Sequence, residues 1–275
     1  MKNVFFLWYV FLVIQSSLVA QTKLSKTAER KTHIGLCIMA TGRYDQFVEP
    51  LINSARKFFL TNKRVTYFVF TDGTIPTSSD IVRIQQKRLG WPHDTMMRNS
   101  VYLQTRKHFD GVDYLFALDA DMLFVDSVGE EMLGHLVGTQ HPGYFNKPGT
   151  YETNYRSTAF VPQKRRKIYY AGGFFGGKKE AFLQLCEITT KNIQNDLAKG
   201  IIAIWHDESH LNRYFAFNPP EKTLSPSYCY PEGWNIPFQP RLIALNKNHS
   251  ALRKYLSKIP KNTFSGGKLC CPTSP

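Results

Sequence analysis

The sequence has few cysteines, and they form no metal-binding pattern. Five occur in 275 residues: Cys37, Cys186, Cys229, Cys270 and Cys271. The last two are adjacent near the C-terminus, and spacing alone does not join them to the others in one zinc site. Because the count is odd, at least one thiol would stay free or pair with another molecule in an oxidising compartment.

Acidic residues are scarce relative to basic ones. The chain has 21 Asp and Glu against 35 Lys and Arg, a formal net charge of +14. Such a charge suits nucleic acid, an anionic membrane or an anionic small substrate. The basic residues are scattered, the clusters at 164–167 and 30–31 are short, and there is no aromatic RNP sequence or zinc finger. We therefore expect a generally basic surface and no nucleic-acid partner.

Internal repeats and disordered composition are also lacking. Hydrophobic residues make up 43% of the chain and aromatic residues 14%, which is enough for a real core. The length allows one large domain or two small ones.

The apolar run at the N-terminus is short for a membrane span, which needs about 20 residues. Val4–Ile14 follows Lys2 and leads through small residues to Ala20, as in a secretory signal peptide. We predict that residues 1–20 are a signal peptide or a short membrane anchor, with any membrane anchoring through residues 4–20. The sequence leaves cleavage open, and entry into the secretory pathway follows in either case. Residues 21–33 are polar and basic and are predicted to form a short stem.

The most informative stretch runs from Tyr114 to Val125, where Asp119 and Asp121 interrupt an apolar pattern. On a strand these two residues would share one face, and at a strand end or tight turn both can converge on one cation. Carboxylate oxygens suit Mn²⁺ or Mg²⁺. The alternative is a strand end with two solvated aspartates.

The first half of the chain alternates predicted strands with helices. Strands are predicted at 34–40, 65–70, 81–84 and 114–118, and helices at 47–59 and 96–109. This order predicts an α/β fold with a mainly parallel sheet. Ligands of such sheets bind beyond the carboxyl ends of the strands, where Tyr44, Asp72 and the two aspartates lie.

The second half is less regular. Residues 169–177 are aromatic and glycine-rich, which fits either close approach of the backbone to a ligand or a structural turn. A helix is predicted over 178–199 and a last strand over 242–245. Residues 205–212 hold His206, Asp207, Glu208 and His210. Zinc binding is disfavoured there because the order is not H-E-x-x-H. Either Glu208 faces a reacting centre or the cluster is a polar helix start.

Taken together, the motifs FVFTDG, LDADM, HPGYF, YYAGGFFGG, WHDESHLN, LSPSYC and NKNH occur in an order that resembles glycosyltransferase family 6. The region W-x-x-x-x-M-M-R at Trp91–Arg98 belongs to the same series. The resemblance covers roughly Ile34 to Arg253.

The resemblance implies a GT-A fold, with a Rossmann-like, mainly parallel sheet and flanking helices, in a catalytic domain over residues 34–275. It implies a retaining, Mn²⁺-dependent α1,3-hexosyltransferase, with Mg²⁺ as the alternative metal. The donor would be UDP-GalNAc or UDP-Gal, and the acceptor a β-galactoside-type glycan or glycolipid. The Golgi would be the compartment if the leader anchors the chain, and secretion would follow if it is cleaved.

The resemblance also implies roles for individual residues. Glu208 matches the catalytic glutamate, and Asp119 and Asp121 match the metal-binding D-x-D. The residues matched to donor binding are Met39, Thr41, Tyr44, Arg98, Ala120, Lys247 and Arg253. The residues matched to acceptor or sugar binding are His141, Thr150, Ala171, Gly172, Gly173, Trp205, His206 and Asp207. For Lys247 and Arg253 the alternative is a solvated basic tail.

Two positions bear on specificity. Gly173 has no Cβ, which leaves room for a 2-acetamido group and favours UDP-GalNAc over UDP-Gal. Pro231 stands where the family commonly has an acceptor-binding Asp. This departure keeps a second hypothesis open, a carbohydrate-binding protein on the same fold with little or no turnover.

Overall fold

A seven-stranded sheet lies at the centre of the protein, in a computed structural model that describes residues 31–248 and 252. The predicted leader, Arg253, Cys270 and Cys271 lie outside the described residues. The strands are β1 (His33–Met39), β2 (Arg64–Thr71), β3 (Ile81–Gln85), β4 (Tyr114–Asp119), β5 (Met122–Phe124), β6 (Leu136–Gln140), β7 (Tyr170–Lys178), β8 (Lys222–Leu224), β9 (Tyr230–Pro231) and β10 (Leu242–Ala244). The α-helices are α1 (Val48–Phe58), α2 (His93–Met96), α3 (Arg98–Gln104), α4 (Lys179–Leu197) and α5 (His206–Phe217). Short 3-10 helices span Gly42–Phe47, Arg106–Phe109, Glu130–Met132, Pro142–Tyr144, Gln163–Arg165 and Pro226–Cys229.

The large sheet has the strand order β3-β2-β1-β4-β7-β6-β8. The four strands from the first half of the chain, β3, β2, β1 and β4, are parallel, whereas β7 runs antiparallel to both β4 and β6. A second, three-stranded sheet joins β5, β10 and β9. The prediction of a mainly parallel α/β fold is confirmed.

Hydrophobic clusters cover both faces of the sheet, so the central strands of the sheet are buried on both sides. Alternate residues of β4 point to opposite faces: Phe116 and Leu118 pack in one hydrophobic cluster, and Leu115 and Ala117 in the other. Such strands read as continuous apolar runs. Helix α1 buries Val48, Leu51, Ile52 and Ala55, at the spacing of a single helix face.

Two predicted elements differ from the structure. The predicted helix over 96–109 is divided, since α3 ends at Gln104 and a 3-10 helix follows. At the break, the Thr105 hydroxyl donates to the Val101 carbonyl at 2.8 Å, a local bond that competes with helix continuation. Of the two interpretations of the glycine-rich stretch, the structural turn is wrong, since the stretch forms strand β7.

The glycines of β7 show why a strand can be so rich in this residue. A Cβ on Gly176 would lie 2.2 Å from the Leu115 carbonyl oxygen of β4, and one on Gly177 would lie 2.3 Å from the His135 carbonyl oxygen. Neither neighbour can move without disturbing the sheet. These two glycines serve strand packing, whereas Gly172 and Gly173 face the site described below.

No helix among the described residues is long and apolar enough to cross a membrane. Within the same residues, Cys37, Cys186 and Cys229 are free thiols.

Candidate active site

The two aspartates of the D-x-D motif lie where β4 ends. Asp119 is the last residue of β4, and Ala120 and Asp121 form a tight turn into β5. The aspartates therefore do not share one face of a single strand; the turn, the other arrangement considered, holds them. Met39 at the end of β1 pairs in register with Asp119, which places this turn at the carboxyl edge of the parallel sheet.

A cavity of about 230 Å³ opens at this edge. The predicted donor and metal residues that line it are Met39, Thr41, Tyr44, Arg98, Asp119, Ala120, Asp121 and Lys247. Segments far apart in sequence supply them, and the strand ends bring them together as predicted.

A second cavity of about 180 Å³ adjoins the first. Of the predicted residues it is lined by Gly172, Gly173, Trp205, His206, Asp207 and Glu208. The two cavities share Trp91, Thr95, Arg98 and Asp119 as lining residues. They are therefore two ends of one cleft, with the D-x-D turn at one end and Glu208 at the other.

Arg98 lies between these ends and is 3% exposed. Its guanidinium donates to the Asp119 carboxylate at 2.9 Å, to the Gly172 carbonyl at 2.7 Å and to the Asp207 carboxylate at 2.5 Å. Burial disfavours the charge, but the two carboxylates outweigh it and raise the pKa of Arg98 above its ordinary value. Burial raises the pKa of Asp207 to about 6, although Arg98 acts against this shift. The arginine thus fixes the positions of the Asp119 carboxylate and of helix α5 together.

Lys247 supplies a second cation beside the D-x-D turn. Its ammonium forms an ion pair with Asp121, which is 4% exposed, and lies 5.5 Å from the centre of the Tyr44 ring. A phosphate group entering the cavity would therefore find a lysine close to the carboxylates.

Glu208 lies in the first turn of α5, where the helix N-terminus favours negative charge. Its carboxylate accepts a hydrogen bond from the Gly172 backbone N–H at 2.8 Å. Burial raises the pKa of Glu208 to about 7 despite this bond and the influence of the nearby Tyr169 hydroxyl, and Asp207 raises it further. No cation within the described part of the chain forms an ion pair with this carboxylate.

Three residues predicted to contact the acceptor lie beside the second cavity rather than in its lining. The His141 ring packs 4.8 Å from Tyr144 and 5.8 Å from Tyr169, measured between ring centres. The hydroxyls of Tyr144 and Thr150 are 2.8 Å apart. Ala171 is 2% exposed within β7. Burial lowers the pKa of His141 to about 4, so the ring is neutral at physiological pH.

Several residues of the cleft have no predicted role. Arg88, Trp91, Asp94 and Thr95 line the first cavity, and the Trp91 ring lies 5.0 Å from the His206 ring. They belong to the segment between β3 and α3, in which helix α2 is a single short turn and the sequence shows no periodic pattern. The match of Trp91–Arg98 to a family motif is the sequence signal that this segment contributes to the site, but it implies a role for Arg98 alone. Tyr169, whose hydroxyl influences the pKa of Glu208, is the other omission.

The D-x-D turn fits a hard divalent cation that also binds a substrate. Carboxylate oxygens are the ligands that Mn²⁺ and Mg²⁺ accept. No group of three or more potential ligands occurs within residues 31–248 or at 252. Asp119 and Asp121 could therefore hold such an ion only together with other oxygens, and the phosphates of a nucleotide would supply them.

The chain matches known proteins over most of its length. The family model for glycosyltransferase family 6 matches residues 7–254. The chain is 35% identical to histo-blood group ABO system transferase 1 of Rattus norvegicus, over 82% of this chain and 69% of that protein. It is 38% identical to globoside alpha-1,3-N-acetylgalactosaminyltransferase 1 of Homo sapiens, over 80% of this chain and 68% of that protein. With the protein of that name from Gallus gallus the identity is 36%, over 80% and 69% of the two chains.

Proposed function

The chain belongs to glycosyltransferase family 6 and is a hexosyltransferase, and from that premise we propose a specific reaction for it. It transfers GalNAc, with Gal as the alternative, from a UDP-sugar to a β-galactoside-type acceptor on a glycan or glycolipid. The new bond is α1,3, and the configuration of the donor sugar is retained. One observation carries this proposal: Glu208 and the D-x-D turn lie at opposite ends of a single cleft.

The first cavity would hold the UDP part of the donor. Lys247 would bind a phosphate oxygen, and Arg253 would add a second cation. Met39, Thr41 and Tyr44 would hold the base and the ribose. A divalent ion bound by Asp119 and Asp121, Mn²⁺ in our proposal and Mg²⁺ as the alternative, would stabilise the charge that develops on the departing diphosphate.

The second cavity would hold the donor sugar and the acceptor. When the bond to the diphosphate breaks, its electron pair leaves with the phosphate oxygen and the anomeric carbon gains positive charge. Glu208, ionised, would stabilise that charge or capture the carbon. Trp205, His206 and Asp207 would position the sugars, with His141 and Thr150 contacting the acceptor.

Gly173 supports GalNAc as the preferred sugar. A Cβ at this position would lie 3.3 Å from an Asp119 carboxylate oxygen and 3.4 Å from the Cys229 sulfur. The cleft is therefore narrow beside the Asp119 carboxylate, and a residue without Cβ leaves the most room there. Two of the relatives named above are N-acetylgalactosaminyltransferases, in agreement with this choice.

The experiment that tests the function is UDP release from UDP-GalNAc and UDP-Gal. Each donor is assayed with and without Mn²⁺ and with a panel of β-galactosides, including fucosylated and GalNAc-terminated ones. We expect release that requires both metal and an acceptor, and NMR of the product would show an α1,3 linkage. If the protein binds UDP but no donor–acceptor pair gives UDP release, the second hypothesis, a carbohydrate-binding protein, would be favoured. That hypothesis rests on the departure from the family pattern at Pro231.

The donor choice has its own test. Gly173→Ala should lower the ratio of GalNAc to Gal transfer, because the added methyl group narrows the space beside Asp119. The contact distances are tight but demand shifts of only a few tenths of an ångström, so the variant should still fold. An unchanged ratio would overturn the assignment of Gly173 to donor choice.

Localisation and domain bounds remain part of the proposal. Residues 1–20 would direct the chain into the secretory pathway, residues 21–33 would form the stem and residues 34–275 the catalytic domain. The chain would stay in the Golgi if the leader anchors it and be secreted if the leader is cleaved.

A further inference from the structure

A buried carboxylate beside the cleft has no role in the reaction proposed above. Glu152 is 7% exposed and lies two residues after Thr150, one of the residues assigned to the acceptor. Its two carboxylate oxygens accept separate hydrogen bonds, one from the Asn154 backbone N–H at 2.7 Å and one from the Ile204 backbone N–H at 2.8 Å. The first bond stays within the loop of Glu152, whereas the second joins this loop to the residue before Trp205.

The backbone of Trp205 is also held from the side of helix α5. Its N–H donates to the Ser209 hydroxyl oxygen at 2.9 Å, and Ser209 is a buried residue of the helix that carries Glu208. Glu152 and Ser209 therefore hold two consecutive backbone N–H groups, one from the loop and one from the helix. The Trp205 ring itself is half exposed and lines the second cavity, so it is available to a ligand.

Side-chain packing contributes little to holding this segment. Ile202, Ile204 and Trp205 each have about half of their surface exposed, and Ala203 alone is buried among residues 202–205. The position of the segment therefore depends mainly on its backbone hydrogen bonds.

The backbone directly after these two hydrogen bonds is strained. His206 has a φ of +52°, a left-handed conformation that residues other than glycine rarely adopt. Such a conformation persists only where the surrounding contacts prevent relaxation. The bonds from Glu152 and Ser209 are on the two residues before His206. Without them we expect residues 204–206 to relax and the Trp205 ring to move with them.

We propose that Glu152 is a positioning residue for the acceptor, because it fixes Trp205 relative to the loop that carries Thr150. The inference rests on the proposed function, in which Trp205 positions the sugars and Thr150 contacts the acceptor. Glu152 does not occur among the described residues that line the two cavities. It therefore acts through Trp205 and does not touch the substrate.

The test uses the full chain and measures UDP release with donor and acceptor concentrations varied separately. Glu152→Met keeps the length of the side chain but accepts neither N–H. We expect it to raise the KM for the acceptor about tenfold, since a hydrogen bond to a charged group is lost, and to change the KM for the donor much less. A loss of folded protein alone would lower the apparent kcat and leave both KM values unchanged. Glu152→Gln, which keeps one accepting oxygen, should show a smaller effect of the same kind.

The matched control is Asp196→Leu. Asp196 is a second buried carboxylate that holds the same loop, through the Ser157 hydroxyl at 2.5 Å and the Thr158 N–H at 2.8 Å, but it does not bond to residues 204–206 through its side chain. We expect this variant to lower stability and to change the KM for the acceptor much less than Glu152→Met does. An equal rise in both variants would show a general effect of loosening the loop and would overturn the proposal.

A double-mutant cycle with Trp205→Ala tests whether Glu152 acts through Trp205. In the Trp205→Ala background, Glu152→Met should have little further effect on the KM for the acceptor, because both changes remove the same contact. Equal effects in the two backgrounds would overturn the proposal. So would an unchanged KM for the acceptor in Glu152→Met while the wild type transfers sugar. If the wild type transfers no sugar to any acceptor, the proposed function itself fails.

Discussion

The carboxylates of the cleft are held in two ways, one with a cation as partner and one without. At the D-x-D turn, Asp119 lies against Arg98 and Asp121 against Lys247, and Asp207, which lines the second cavity, shares the same arginine. Glu208, also in the second cavity, forms no ion pair among the described residues; it accepts a hydrogen bond from the Gly172 backbone N–H, and burial raises its pKa to about 7. The ion pairs join segments that are distant in sequence, whereas Glu208 has no such partner among the described residues. A buried charge without a cation costs stability, and perturbed groups of this kind are typical of catalytic positions.

The largest expected effect is on turnover. Glu208→Gln keeps an oxygen that can accept the Gly172 N–H but cannot carry charge, so kcat should fall by about 10³-fold. Steady-state UDP release, with donor binding measured in parallel, checks this. Turnover at the wild-type rate would remove Glu208 from the mechanism.

The same variant should be more stable than the wild type. The folded-state pKa of Glu208, about 7, is above the ordinary value of 4.5, so the fold loses stability as the pH rises from about 4.5 to about 7, and the loss is complete above that range. We expect Glu208→Gln to raise the free energy of unfolding by about 1–3 kcal/mol at pH 8. Urea unfolding at pH 8 and pH 5 checks the sign, because the gain should shrink at the lower pH.

Removing the cation that Asp119 and Asp207 share should have the opposite effect on stability. Arg98→Met leaves Asp207 buried without its partner and should lower the free energy of unfolding by about 3–5 kcal/mol. Adding Asp207→Asn should restore part of that loss. If the Arg98→Met protein were as stable as the wild type, Arg98 would not stabilise the fold by pairing with the buried Asp207.

The pH dependence of activity tests whether Glu208 must be ionised for catalysis. If ionised Glu208 is required, kcat/KM, which reports the free enzyme, should fall about tenfold per pH unit below about 7. The residual activity of Glu208→Gln should lack this inflection. A wild-type profile that is flat across pH 7 would show that Glu208 is not the titrating group.

The smallest effect is expected at an exposed ion pair, which serves as the reference. Arg56 and Asp80 lie 2.7 Å apart with side chains 40% and 31% exposed. The hydrogen bond from Arg56 lowers the pKa of Asp80 to about 2, so any stabilisation is present above pH 3.8 and is lost as the pH falls toward 2. Asp80→Asn should cost less than about 1 kcal/mol at pH 7. If Asp80→Asn lowered the free energy of unfolding as much as Arg98→Met does, burial would not explain the difference between the Arg56–Asp80 and Arg98–Asp207 pairs.

Regular elements and dense motifs were predictable from the sequence. Continuous apolar runs predicted β1, β2 and β4 because strands buried on both faces need such runs. Helical spacing likewise predicted α1. The position of Asp119 after an apolar strand and of Glu208 near a helix start followed from the same local patterns. The segment holding Trp91 and Thr95, in which α2 is a single short turn, has no such pattern, so the sequence did not predict its contribution to the cleft.

The sequence by itself determined the fold class, the first four strands and the residue types available for chemistry, because these depend on local periodicity and composition. Only the tertiary structure decided which charges meet. Arg98 contacts Asp119, Gly172 and Asp207 from three distant segments, and no local pattern encodes that contact. It also divided the glycines of β7 into Gly172 and Gly173, which face the cleft, and Gly176 and Gly177, which the neighbouring strands require. The reason is the same in both cases: burial and distance between segments exist only once the sheet has assembled.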